Sequence, residues 1–106
     1  MERHVVALVT TPVDQADRIA AAVVERRLAA CANVVPLVRS TYWWKGELVR
    51  EDEALLVLKT VHARLDELRA LLRDVHPYET FELVALDVAA GEPAYLDWIA
   101  AEARPR

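Results

Sequence analysis

Glycine and cysteine are nearly missing from this chain: two of the first and one of the second in 106 residues. Two glycines cannot build a glycine-rich phosphate cradle, which excludes the common nucleotide-binding loops. A single cysteine, Cys31, forms no internal disulfide and cannot fill a tetrahedral thiolate site alone. Positive charge is also scarce. Thirteen Lys and Arg face seventeen Asp and Glu, for a net charge of −4, without the basic excess of a nucleic-acid binder. No apolar run approaches the ~20 residues of a membrane helix. The start, Met1-Glu2-Arg3-His4, leads directly into a strand-like run without the apolar core of a secretion signal. A cytoplasmic location is therefore expected, with neither membrane nor nucleic acid as partner. Catalytic motifs are missing as well: no G-x-S-x-G, no phosphate loop and no metalloprotease helix occurs. A binding protein is expected, not an enzyme.

What the chain has in quantity is apolar surface, 55% of residues against 28% charged. One domain over residues 1–106 is expected, since this length supports one core and not two. Such a domain buries roughly 65% of its unfolded surface. The apolar excess points to further burial between subunits.

The dominant stretch is Asn33 to Thr60, NVVPLVRSTYWWKGELVREDEALLVLKT. Two runs rich in Val, Leu, Tyr and Trp flank Lys45-Gly46. This predicts one long hairpin with Gly46 at a positive φ. Arms of this size are roughly twice the usual strand length. Their outer halves must leave the body of a small domain, and exposed edges of that kind call for another chain. An oligomer assembled through the hairpin follows. Tyr42, Trp43 and Trp44 around Gly46 are the expected contact residues, because aromatics are enriched where subunits meet; a ligand-stacking surface is their other reading.

The remaining elements read in order. Val5 to Thr10 is an apolar run of strand length, ended by Pro12. Asp14 is the expected N-cap of a helix over Gln15 to Leu28, with Ala16, Ile19, Ala20 and Val23 on its buried face. Pro36 marks an edge strand or a bulge. Arg50-Glu51-Asp52-Glu53 is read as a solvated run outside the core. Thr60 to Val75 predicts a second helix with a leucine stripe, stopped by His76-Pro77. Phe81 to Val88 is the last strand. Pro93 opens a short third helix with Tyr95, Trp98 and Ile99 on one face, covering a sheet edge or a neighbouring subunit. The order β-α-β-β-α-β plus a C-terminal helix is the split arrangement of the α+β, ferredoxin-like class.

His76, Glu79 and Glu82 form the richest ligand-like cluster. A histidine with carboxylates suits zinc, copper or a hard cation. The competing reading makes His76 a cap on the second helix. Glu51, Asp52 and Glu53 either collect cations in a cleft or remain solvated. Tyr78 and Lys59 are expected near His76.

LVTTP, RLAACANVVP, STYWWKGELVREDEALLVLKT, HPYETFELVAL and GEPAYLDWI stand in the order and spacing of the CutA family of divalent-cation tolerance proteins, which the chain resembles from about Val5 to Ile99. The resemblance implies a homotrimer whose hairpins exchange edges, with a likeness to PII signalling proteins and Trp98 among the contacts. It implies a role in tolerance of copper and other divalent metals, with no obligatory cofactor. It also points to Cys31 and His76 as metal ligands. The chain departs from the family at Thr10, where some relatives carry cysteine, and at Phe81, where proline is usual. Two rivals stand beside this reading. One is a PII-like module that binds a small anion through Arg39, Arg50 or Lys59. The other is a purely structural trimer.

Overall fold

The computed structural model describes residues 2–105. Strand β1 (His4–Thr11) leads through a 3-10 turn into helix α1 (Ala16–Glu25), strands β2 (Cys31–Trp44) and β3 (Glu47–Val61), helix α2 (Leu65–Val75), strand β4 (Val84–Asp87) and helix α3 (Pro93–Glu102). The four strands form one antiparallel sheet in the order β2-β3-β1-β4. This is the element order that the sequence predicts.

Alternation decides the two faces. Val5, Ala7, Val9 and Thr11 of β1 are buried, as are Ala54, Leu56, Leu58 and Thr60 opposite them on β3. Ile19, Ala20 and Val23 of α1 and Leu68, Leu71 and Leu72 of α2 complete this core. The opposite sheet face carries Val35, Leu55, Val57, Leu8, Val6, Val84 and Leu86 in adjoining register. It is covered only at one end, where Val61 packs beneath Ile99, Ala100 and Ala103 of α3. Val84 and Leu86 therefore stay about half exposed, at 47% and 51%.

The hairpin arms have 14 and 15 residues, but β1 pairs only with residues 54–61 of β3. From Glu53 outward the ribbon has two strands. Pro36 interrupts the register between Val35 and Val38 on the edge strand β2, meeting both expectations for a proline in a strand. At the tip, Gly46 has φ 82° and Lys45 also lies at φ 49°, so both central residues adopt the left-handed conformation of a type I′ turn.

Five local expectations are corrected. Asp14 caps nothing; it lies in the 3-10 turn Val13–Gln15, and Gln15 precedes α1 without a side-chain cap. Helix α1 ends at Glu25 rather than Leu28. Arg27 turns left-handed (φ 58°), while the Arg27 and Leu28 amides bond back to Val24 O and Val23 O. This is a Schellman stop built on arginine where glycine is usual, and Arg27 Nη1 reaches Glu102 Oε2 at 2.8 Å. The second helix starts at Leu65, after a 3-10 turn, because Thr60 and Val61 still belong to β3. The last strand starts at Val84 rather than Phe81, since Phe81 and Leu83 pack toward the core instead of pairing. In α3, Ile99 faces inward while Tyr95 and Trp98 stack on each other outside, ring centroids 5.5 Å apart.

A left-handed Lys45 is costly and asparagine tolerates that conformation. Against this stands the Lys45 ammonium, 5.7 Å from the Trp44 ring centroid, a weak attraction at an exposed site. Lys45→Asn is expected to stabilise the fold by about 0.5 kcal/mol. Urea denaturation checks this, and a loss of stability would mean that the ammonium–indole contact outweighs backbone strain.

Candidate functional site

The corner between α2 and β4 is held by one imidazole. Pro77 forces His76 out of the helix, to φ −78° and ψ 132°. Its ring is thereby carried to the end of β1, where Nε2 lies 2.8 Å from Thr10 O, while the Tyr78 amide donates to Nδ1 at 3.1 Å. Since Nδ1 accepts, Nε2 carries the proton and donates. Phe81 stacks on the imidazole at 5.1 Å and Tyr78 tilts against it at 4.9 Å. His76 is buried, at 7% exposure. Both nitrogens are engaged, so the ring works as a clamp for residues 76–82.

Between this corner and the base of the hairpin lies a cavity of about 810 Å³. Tyr42, Trp44, Tyr78 and Phe81 bring aromatic surface to it; Glu51, Glu53, Glu79 and Glu82 bring carboxylates; among the described residues no Lys or Arg lines it. The Tyr42 hydroxyl donates to Glu51 Oε1, and the Tyr78 hydroxyl donates to Glu53 Oε2 at 3.2 Å. The bond to Glu51, with a smaller effect of burial, pushes the Tyr42 phenol up to about 12. Burial and the charge of Glu53 push the Tyr78 phenol higher still. Both hydroxyls stay protonated at neutral pH and keep donating. Burial and the Glu53 charge also raise the Glu82 carboxyl. Among the described residues the site is thus an acidic concavity without a basic side chain.

The residues singled out from sequence divide into two groups. Tyr78, Glu79 and Glu82 line the cavity, while His76 packs against Tyr78 and is not part of the lining. Cys31 does not join them. It lies opposite Lys59 on β3, whereas Thr10, the partner of His76, lies opposite Leu55. Four residues of strand separate those positions, roughly 13 Å. Lys59 is likewise away from the cavity and donates to Asn33. Among the described residues, no three His, Cys, Asp or Glu side chains are grouped so as to hold a metal ion. Arg39 pairs loosely with Asp52 at 3.9 Å, and Arg39, Arg50 and Lys59 line neither this cavity nor the smaller one beside Trp98. Within one copy these basic groups do not converge on either cavity. Trp43, at 72% exposure, and Trp44, at 46%, are exposed at the hairpin tip beside Gly46. Trp98 is 42% exposed.

The reading of Glu53 as solvated is overturned. It is 4% exposed, beneath Tyr78, while Arg50 and Asp52 remain in solvent. Period-two alternation already held a signal, because Glu51 and Glu53 share one face and Arg50 and Asp52 the other. What covers that face is a loop distant in sequence.

Comparison with known proteins agrees with this geometry. The chain matches the model of the CutA1 divalent ion tolerance protein family over residues 5–102. It is 46% identical over 94 residues to mouse Protein CutA, covering 88% of this chain but 53% of that protein. It is 45% identical over 95 residues to the divalent-cation tolerance protein CutA of Thermus thermophilus, covering 89% of this chain and 92% of that one. The chain thus spans about half the length of the mouse relative and nearly all of the bacterial one. A solved structure described as a PII-like protein CutA from Nostoc, in apo form, superposes with a TM-score of 0.89 at 32% identity over the full length of both chains. With the family model matched over residues 5–102 and a bacterial relative 45% identical over nearly its whole length, the chain belongs to the CutA1 divalent ion tolerance protein family.

Proposed function

We propose that this protein is a non-catalytic, cytoplasmic homotrimer of PII-like assembly that responds to divalent cations such as copper and zinc. The observation that carries the reading is the cavity with four carboxylates and, among the described residues, no basic side chain along its wall. Glu79 and Glu82 are the ligands of first choice, being at the rim, with Glu51 and Glu53 behind them. Oxygen donors of this kind suit hard or borderline cations with water completing the shell. His76 contributes Nδ1 once the Tyr78 amide lets go, and Cys31 reaches such a site only from a sister copy. A thiolate or imidazole from either source favours copper or zinc over magnesium.

Trimer formation is supported by two features of the single chain. The open sheet face presents a continuous apolar surface, and the outer ribbon exposes Leu37, Trp43 and Leu48. Surfaces of this size and character mark interaction sites. Sedimentation velocity at micromolar concentration should find three copies of the 11.9 kDa chain; a compact monomer would overturn the assembly.

Calorimetric titration with copper, zinc and magnesium tests the ligands. Glu79→Gln/Glu82→Gln should weaken zinc binding by about tenfold or more, as loss of charged ligands does. His76→Ala/Cys31→Ser separates ligation from structure. Unchanged heats in that variant remove both residues from the ligand set. Independently, His76→Ala should cost about 2–3 kcal/mol in chemical denaturation, because it deletes two hydrogen bonds at a buried corner.

The raised Glu82 carboxyl gives a pH test. A carboxyl with a folded-state pKa above its unfolded value lends stability when protonated and loses it as pH rises through the folded value. Glu82→Gln should therefore raise the melting temperature at pH 7, and the advantage should vanish below about pH 4, where Glu82 itself is protonated. An effect independent of pH would contradict the charge repulsion with Glu53.

A further inference from the structure

The open face of the sheet is not uniformly apolar. Val57, Leu8 and Val84 lie side by side across its middle. One row on, Lys59 stands between Cys31 of β2 and Val6 of β1. It is the only Lys or Arg that the described strands place on this face, since Arg39 and Arg50 alternate to the other side. Its ammonium donates to Asn33 Oδ1, an uncharged group, and takes part in none of the ion pairs of the described residues. Lys59 is already half-buried in one copy, and a chain laid over the face completes its burial. An ammonium covered in that way without an acid is unfavourable.

The acids lie at the other end of the same face. Period-two alternation puts Glu51 and Glu53 on the side of β3 that carries Leu55, Val57 and Lys59. Thr10, opposite Leu55, lines the cavity with them. Glu79 and Glu82 complete the four carboxylates there, with no Lys or Arg among the described lining residues. Within one chain the two ends do not meet. Six residues of β3 separate Glu53 from Lys59, roughly 20 Å. Lys59 is also drawn toward Asn33 on β2, at the sheet edge opposite β4. The face thus runs from acid through apolar to base, and it complements itself when one copy lies head to tail on the next. Heterologous contacts of that kind form rings where the rotation closes. We propose that Lys59 of one copy enters the acidic cavity of the next, beside Glu53 and Glu82, so that each cavity is completed by a neighbour's ammonium. The inference rests on the trimer reading above and goes beyond it by naming the side chain that one copy lends to the next. A divalent cation reaching those acids then competes with an ammonium for them.

Zero-length coupling of the full chain with a water-soluble carbodiimide tests this, because the reagent joins a carboxylate to an amine only where the two touch. The only amines of the chain are Lys45, Lys59 and the N-terminus, so the possible products are few. Bands of two and three chains on a denaturing gel are digested and their joined peptides read by mass spectrometry. They should contain Lys59 coupled to one of the four cavity acids. The charge itself is read by sedimentation over a dilution series. Lys59→Met should raise the dissociation constant of the assembly at least about tenfold, and Lys59→Arg, which keeps the charge, by much less. Interchain peptides that start only from Lys45 or the N-terminus overturn the inference, as does Lys59 coupled to acids outside the cavity. Equal losses in the two variants overturn it as well. If sedimentation finds three copies and Lys59 forms no interchain peptide, the lysine pairing falls and the assembly stands. If the chain sediments as a compact monomer, both fall.

Discussion

The structure depends on a mismatch of lengths. Strand β1 has eight residues, and the hairpin arms that lie beside it have 14 and 15. Only residues 54–61 of β3 find a partner in β1. Beyond that point the two arms pair with each other, and Trp43 and Trp44 stand exposed. A two-stranded ribbon alone is marginal in water, and unpaired edges invite further pairing. The ribbon from Val38 to Glu53 therefore reaches past the part of the sheet that β1 supports.

The same mismatch creates the candidate site. Where β1 stops, the sheet has a step, and the connection between α2 and β4 drops into it. His76 binds the end of β1 through Thr10 O and orders the loop through the Tyr78 amide. Phe81 then packs on the imidazole instead of starting a strand. With the loop in place, Tyr78 closes over Glu53, and a residue that would otherwise be solvated becomes a buried acid. The cavity is thus a consequence of the step, walled by the ribbon on one side and the clamp on the other. Its acidity comes from Glu51 and Glu53 of β3 together with Glu79 and Glu82 of the loop.

Much of this was legible in the sequence. The hairpin, its glycine turn, the proline bulge, both amphipathic helices and the stop at His76-Pro77 follow from period, propensity and turn chemistry. The misplaced boundaries share a cause. Arg27 ends a helix in a conformation that normally signals glycine, because its side chain is tied to Glu102 on α3. Phe81 to Leu83 have strand propensity but are drawn to the core. Each case is local preference overridden by a partner far along the chain, which no window of neighbouring residues contains.

The division for this protein is then between pattern and placement. The amino-acid order alone determined the elements, their two-faced character, the excess of apolar surface and the cluster of acids and aromatics, since these depend on spacing within a single strand or helix. Only the tertiary structure decided that Cys31 and Lys59 lie away from His76, that both imidazole nitrogens are engaged, and that Glu53 is buried while Asp52 beside it is not. Those outcomes turn on which strand ends where and which loop fills the step. They arise from packing between segments separated by tens of residues, where sequence spacing carries no measure of distance.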